Sequence, residues 1–245
     1  MLLPSLLTAA ALGNSNFMDC GGAPICGVLT LETGYGSGRY QHAEPVVHGL
    51  WPQVDKYGNS ACVSPRDRAP PSALASCYQQ SDVDADDALR FEQHEWSKHG
   101  VCAGADDAVD YLGQLCALAR PPLAALASER RAGLGLDDMA SDLRRRGFPV
   151  WAVDGRNSQV ELSACASASG RWRLAPVSEM GRTCAGSAAG SPSVVRYEGA
   201  APGAVEPRGC LPSKRGPPCT AATDCNAAPG CARCAKSGFC TDVPL

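Results

Sequence analysis

Between Cys20 and about Ala200 the spacing of apolar residues changes period several times, and each change predicts an element. VLTLETGYG (28–36) reads as a strand entering a glycine-rich turn. EPVVHGLWP (44–52) predicts a short buried strand at Val46 and Val47 that runs into a Gly and Pro turn, and a loop with Pro65, Pro70 and Pro71 follows. Asp84, Asp86 and Asp87 suit a helix start; that helix carries Leu89, Phe91 and Trp96 and is expected to stop at Gly100 as a left-handed cap. A second helix, DDAVDYLGQLCALA (106–119), places Val109, Leu112 and Cys116 on one face and is expected to end at Pro121-Pro122. Leu136, Met139, Ala140 and Leu143 form a third helical stripe closed by Gly147. Strand-like pieces come next: FPVWAV (148–153), QVELSAC (159–165) and RWRLAP (171–176).

Near residue 185 the pattern gives way to Gly, Ser, Ala and Pro, which predicts a linker over 186–204. Residues 205–245 hold six cysteines and few large apolar residues, so that segment reads as a separate small module stapled by disulfides. Six cysteines allow 15 pairings, and the sequence does not choose among them. At the other end, MLLPSLLTAAALG (1–13) is a signal-like apolar segment without a basic start. The globular domain is expected over 14–185.

Composition narrows the class. The chain has 245 residues and 14 cysteines, an even and high count that points to an oxidising compartment. No apolar run approaches the roughly 18 residues of a spanning helix, so no membrane span is expected. Net charge is −3, so attraction for a polyanion must come from a local cluster rather than the global field.

The chemistry concentrates in FEQHEWSKHGVC (91–102), which holds two of the four histidines. His94 and His99 are five apart, which is roughly 140° around a helix, so they cannot chelate one ion from one face. No metal or other cofactor is expected. At helical spacing His94 lies near Lys98, and Glu95 lies near His99. That array suits a transition state gaining negative charge, such as a phosphodiester. Metal-free RNA cleavage needs one group to take the 2′-OH proton and another to protonate the leaving 5′-oxygen. The second histidine must come from elsewhere, either His42 or His48, and His48 stands in HGLWP beside a tryptophan. Arg144-Arg145-Arg146 reads as a solvated helix end rather than an RNA contact.

VVHGLWP (46–52) followed by FEQHEWSKHGVC (91–102) resembles the two active-site signatures of the ribonuclease T2 family. The resemblance covers roughly residues 20–185. It implies an α+β fold, an antiparallel central sheet with flanking helices, and a secreted, lysosomal or vacuolar endoribonuclease. Such enzymes cleave single-stranded RNA to 2′,3′-cyclic phosphates and then to 3′-phosphates. Carried over by motif position, His48 and His99 would be the acid/base pair, in either order. His94 would bind the scissile phosphate, and Glu95 and Lys98 would stabilise the phosphorane. Trp51 would shape the base pocket, with Tyr57 and Gln53 nearby; Gln53 stands where the family more often has an acid or Asn. The resemblance also implies disulfides Cys62–Cys102 and Cys165–Cys184, and a pair between Cys20 or Cys26 and Cys77 that leaves Cys116 over.

The expected partner is single-stranded RNA, met by a monomer. A competing reading is an extracellular binding or toxin-like protein, whose cysteine-rich tail recognises a surface partner or glycan. A third is a catalytically silent storage or inhibitor-binding relative; it predicts a broken catalytic residue, and none is broken.

Overall fold

A computed structural model of the chain describes residues 17–185 together with 233–234 and 240–241. The signal-like segment, the linker and nearly all of the cysteine-rich tail lie outside the described residues. The chain divides into two compact units, Met1–Pro192 and Ser193–Leu245. In the second, two short strands, Arg233–Cys234 and Cys240–Thr241, pair antiparallel.

The first unit is α+β. Its elements run β1 (Ile25–Glu32), β2 (Val46–Pro52), α1 (Ala85–Lys98), α2 (Ala108–Arg131), α3 (Leu136–Arg145), β3 (Val150–Asp154), β4 (Gln159–Ala166), β5 (Trp172–Leu174) and α4 (Met180–Cys184). The strands form one antiparallel sheet in the order β2-β1-β4-β3, with β5 also on β4. β1 is buried along its whole length, as a central strand with both faces covered must be. Its alternation sorts the two faces. Ile25, Leu29 and Leu31 join the main core with Trp96, Tyr111, Leu115, Leu126 and Leu143, while Cys26 and Val28 join a smaller cluster with Met180.

The strand at 46–52 is longer than its apolar pair predicts: His48-Gly49-Leu50-Trp51-Pro52 is strand, not turn. β2 is an edge strand, where a closing proline costs no ladder bond. Its pairing with β1 breaks register between Thr30, opposite Gly49, and Leu31, opposite Val47. His48 is therefore the extra residue of a β-bulge.

α1 begins where expected, with the Asp84 carboxylate accepting from the backbone N–H groups of Asp86 and Asp87. It does not stop in a left-handed glycine. His99 is the cap, and Gly100–Cys102 continue as a 3-10 turn without positive φ. α2 passes through Pro121 and Pro122 instead of ending there. Two missing N–H donors would ordinarily disrupt a helix interior. Here the second half buries Ala125 and Leu126 and sends Arg130 to the carbonyls of Thr33 and His42, at 2.6 and 2.8 Å, so tertiary contacts outweigh the local cost. Val109 is 76% exposed and belongs to the solvent face, not with Leu112 and Cys116. α3 ends before Gly147, whose φ of 86° marks the turn. Arg145 and Arg146 pair with Asp142, and Arg146 also reaches Glu129.

All eight cysteines between Cys20 and Cys184 are paired. Cys62–Cys102 and Cys165–Cys184 form as expected. The expected pair with Cys77 does not. Cys20 bonds Cys26, because the turn at Gly21 and Gly22 (φ 57° and 87°) folds the chain back onto the start of β1. Cys77 bonds Cys116, since the 3-10 turn at 76–78 lies against α2. Among the described residues no helix is long and apolar enough to cross a membrane.

Candidate active site

The bulge does the first piece of positioning. Three residues apart on a regular strand, His48 and Trp51 would point to opposite faces. As the unpaired residue of the bulge, His48 departs from that alternation, and the two rings meet edge to face at 5.0 Å. The bulged backbone is satisfied by side chains: the Tyr78 hydroxyl donates to the His48 carbonyl at 2.8 Å, and the Tyr111 hydroxyl to the Leu50 carbonyl at 2.7 Å. Burial pushes both phenols above their usual range, so each remains a donor.

α1 supplies the second set. Neighbouring residues on it go opposite ways. Trp96 enters the core against Tyr111, whereas Glu95 accepts a 2.7 Å hydrogen bond from the Trp51 indole. The approach is possible because position 49 is glycine: a Cβ there would collide with the Glu95 carboxylate and the Trp51 ring. One turn on, His99 stacks on Trp51, ring centroids 5.2 Å apart and 28° between planes. Trp51 thus touches both His48 and His99. Phe91, from the same helix, packs on His48 at 5.1 Å. Cys62–Cys102 ties the chain after β2 to the turn after His99, which in the chain-entropy account contributes about 4 kcal/mol for a loop of 40 residues.

Charges divide unevenly. Burial raises the Glu95 carboxyl, against the opposing pull of His48, Trp51, His94 and Lys98. His99 is lowered to about 4, first by burial and then by Lys98, His48 and His94. His48 Nε2 lies 3.7 Å from Glu95 Oε1, and its Nδ1 lies 2.6 Å from Glu32 Oε1. Nδ1 also lies 2.8 Å from the Gln159 amide nitrogen, which can only donate; the Glu32 carboxylate, nearer and able only to accept, is the partner that places a hydrogen on Nδ1. His94 and Lys98 are exposed on α1.

Of the residues picked out by sequence, the structure gathers His48, Trp51, Glu95 and His99, with His94 and Lys98 on the same helix. Gln53 directs its amide at the Trp51 carbonyl across 3.5 Å, the long limit of a hydrogen bond. Tyr57 stands exposed in a 3-10 turn, with the Lys56 ammonium 5.0 Å above its ring. Neither touches the histidine group directly. Glu32 and Gln159 were missed, and His42 entered only as the alternative to His48, although an acid ending the run ICGVLTLE carried a signal: a charge on a buried strand needs a partner. Among the described residues no group of three or more His, Cys, Asp or Glu side chains converges to hold a metal ion.

The arrangement offers two imidazoles against a common tryptophan, a carboxylate between strand and helix, and an exposed imidazole and lysine on the same helix. That is equipment for moving a proton on and off oxygen beside an anion. Comparison with the curated proteins and with the solved structures returned no match. Residues 26–127, which hold nearly all of β1, all of β2 and α1, and both His48 and His99, match the Ribonuclease T2 family. Over this stretch, 102 of the 245 residues, the chain is similar to the Ribonuclease T2 family.

Proposed function

We propose that the chain is a metal-independent endoribonuclease that cleaves single-stranded RNA in two steps. The observation that carries this reading is the placement of His48 and His99 against one tryptophan, with different proton environments. His99, held to about 4, is neutral above that pH and takes the 2′-OH proton. The 2′-oxygen then bonds to phosphorus and the P–O5′ bond breaks. His48, with a carboxylate oxygen facing each ring nitrogen, delivers the proton to the 5′-oxygen. Hydrolysis of the 2′,3′-cyclic phosphate runs the roles in reverse: His48 takes a proton from water, and His99 returns one to the 2′-oxygen, leaving a 3′-phosphate. His94 and Lys98 place positive charge beside the phosphate, and Glu95 orients the Trp51 indole while sharing in stabilisation of the phosphorane. Trp51, Gln53 and Tyr57 face the bases.

The remaining assignments belong to the same proposal. Residues 14–185 are the catalytic domain and 205–245 a separate module, joined by 186–204; the chain acts as a monomer in an oxidising, extracellular or lysosomal compartment. Four disulfides among the described residues support that location.

The test is digestion of single-stranded RNA in EDTA. His48→Phe and His99→Phe should each lower turnover by about 100-fold or more, the scale of losing a positioned acid or base. Unchanged turnover in either variant would sink the assignment.

A further inference from the structure

The proton environment of His48 does not end at His48. Behind it sits Glu32, the last residue of β1 and only 3% exposed. One oxygen, Oε1, lies 2.6 Å from His48 Nδ1; the other, Oε2, lies 2.6 Å from His42 Nε2. Gln159, opposite Glu32 on β4, holds its amide nitrogen 2.8 Å from His48 Nδ1 and 3.4 Å from Oε1, so it competes with the carboxylate for that ring nitrogen. Burial alone would raise this carboxyl, yet the hydrogen bonds from His42 and His48 bring it below its ordinary value, so it is ionised. A charge this deep persists because donors surround it.

The surroundings are themselves fixed. Arg130 binds the carbonyls of Thr33, next to Glu32, and of His42. Gly34, at φ 78°, lets the His42 carbonyl and the Arg130 guanidinium come close, where a Cβ would strike both. Thr33 is tied to Ser158 through its backbone and hydroxyl. The far half of α2, beyond its two prolines, thus braces the loop that carries His42.

We infer that Glu32 is a positioning residue for His48: it holds the hydrogen on Nδ1, aims Nε2 at the reacting site, and is itself kept in place by His42. This rests on the ribonuclease reading given above for the part that concerns turnover. A carboxylate behind an imidazole fixes its tautomer and orientation. A neutral amide in its place can donate to Nδ1 and so leave the neutral ring with hydrogen on Nε2, the nitrogen that must take the proton of water in the second step. His42 then has a role distinct from the acid/base pair, since its ring contacts the carboxylate and not the Trp51 group.

The experiment pairs kinetics of Glu32→Gln on single-stranded RNA with nitrogen-15 NMR of histidine-labelled native and variant chains. The expected native signature is a neutral His48 protonated at Nδ1, its proton shifted downfield by the carboxylate. In Glu32→Gln the Nδ1–H population should fall and kcat should drop about 10-fold or more, with KM changed less than about twofold. The native spectrum needs no variant to fold, so it decides the tautomer in any case. Native His48 protonated at Nε2 would overturn the inference. So would native kcat in Glu32→Gln, or a loss of kcat that follows thermal destabilisation with the tautomer unmoved. A native chain inert towards RNA would instead defeat the ribonuclease reading, and the His48 spectrum would still decide the Glu32 contact.

Discussion

His99 is an imidazole removed from most of its water and set near other cationic groups, and both effects oppose its protonation. Its pH behaviour follows with a definite sign. In the folded chain it binds a proton only near pH 4, whereas in the unfolded chain it does so near its ordinary 6.5. Between those values the unfolded state holds more protons, so this residue makes stability fall as pH drops from about 6.5 to about 4 and has no further effect below. Acting as the base, it should also give kcat an acidic limb centred near 4. Measuring urea unfolding and kcat from pH 3 to 7 checks both; His99→Gln should flatten its share of the stability slope. An acidic limb near 6.5 in the native chain would mean that His99 is more hydrated than this geometry allows. At the same scale Glu32 differs from Glu95. Both are buried, but only Glu32 receives enough donors to lie below the ordinary value.

The close approach of β2 to α1 is an element-level feature that depends on one residue without a side chain. Gly49→Ala would push β2 away from Glu95 on α1 and displace the Trp51 ring, because the added Cβ meets both side chains. Turnover should drop about 10-fold or more, since small displacements of catalytic groups are costly, while stability should fall by about 1–3 kcal/mol. Kinetics beside thermal unfolding separate the two, and full activity with native stability would contradict the packing described. Much at this scale was legible from residue order: α1 and its Asp84 cap, α3 up to Gly147, and the strands at β1, β3, β4 and β5. The bulge at His48 was not, because HGLWP has the residues of a turn and only the partner strand reveals the extra residue. Nor was passage through Pro121-Pro122, where contacts of Leu126 and Arg130 override local preference. Spacing gave no access to Cys20–Cys26 and Cys77–Cys116, since pairing depends on which segments fold together. Likewise His48 and His99 were legible as motif residues, whereas Glu32 and His42 became partners only once β1 lay between β2 and β4.

For the whole molecule, a net charge of −3 means that RNA is not drawn in by the global field. On the proposed reading the attraction is local, from His94 and Lys98, and it should weaken with salt through few contacts. If the tail is a separate module, deleting 205–245 should leave kcat on short RNA within about twofold, because none of the residues assigned to chemistry lies there. Loss of turnover on deletion would show that the tail completes the catalytic unit. The central claim concerns two histidines and one phosphodiester, and the most direct measurement is digestion of a defined single-stranded oligonucleotide in EDTA at pH 5 to 7, with the product ends identified over time. The account predicts 2′,3′-cyclic phosphate ends appearing first and converting to 3′-phosphates, with both steps lost in His48→Phe. Cleavage that yields 5′-phosphates, or that requires a divalent metal, would contradict it.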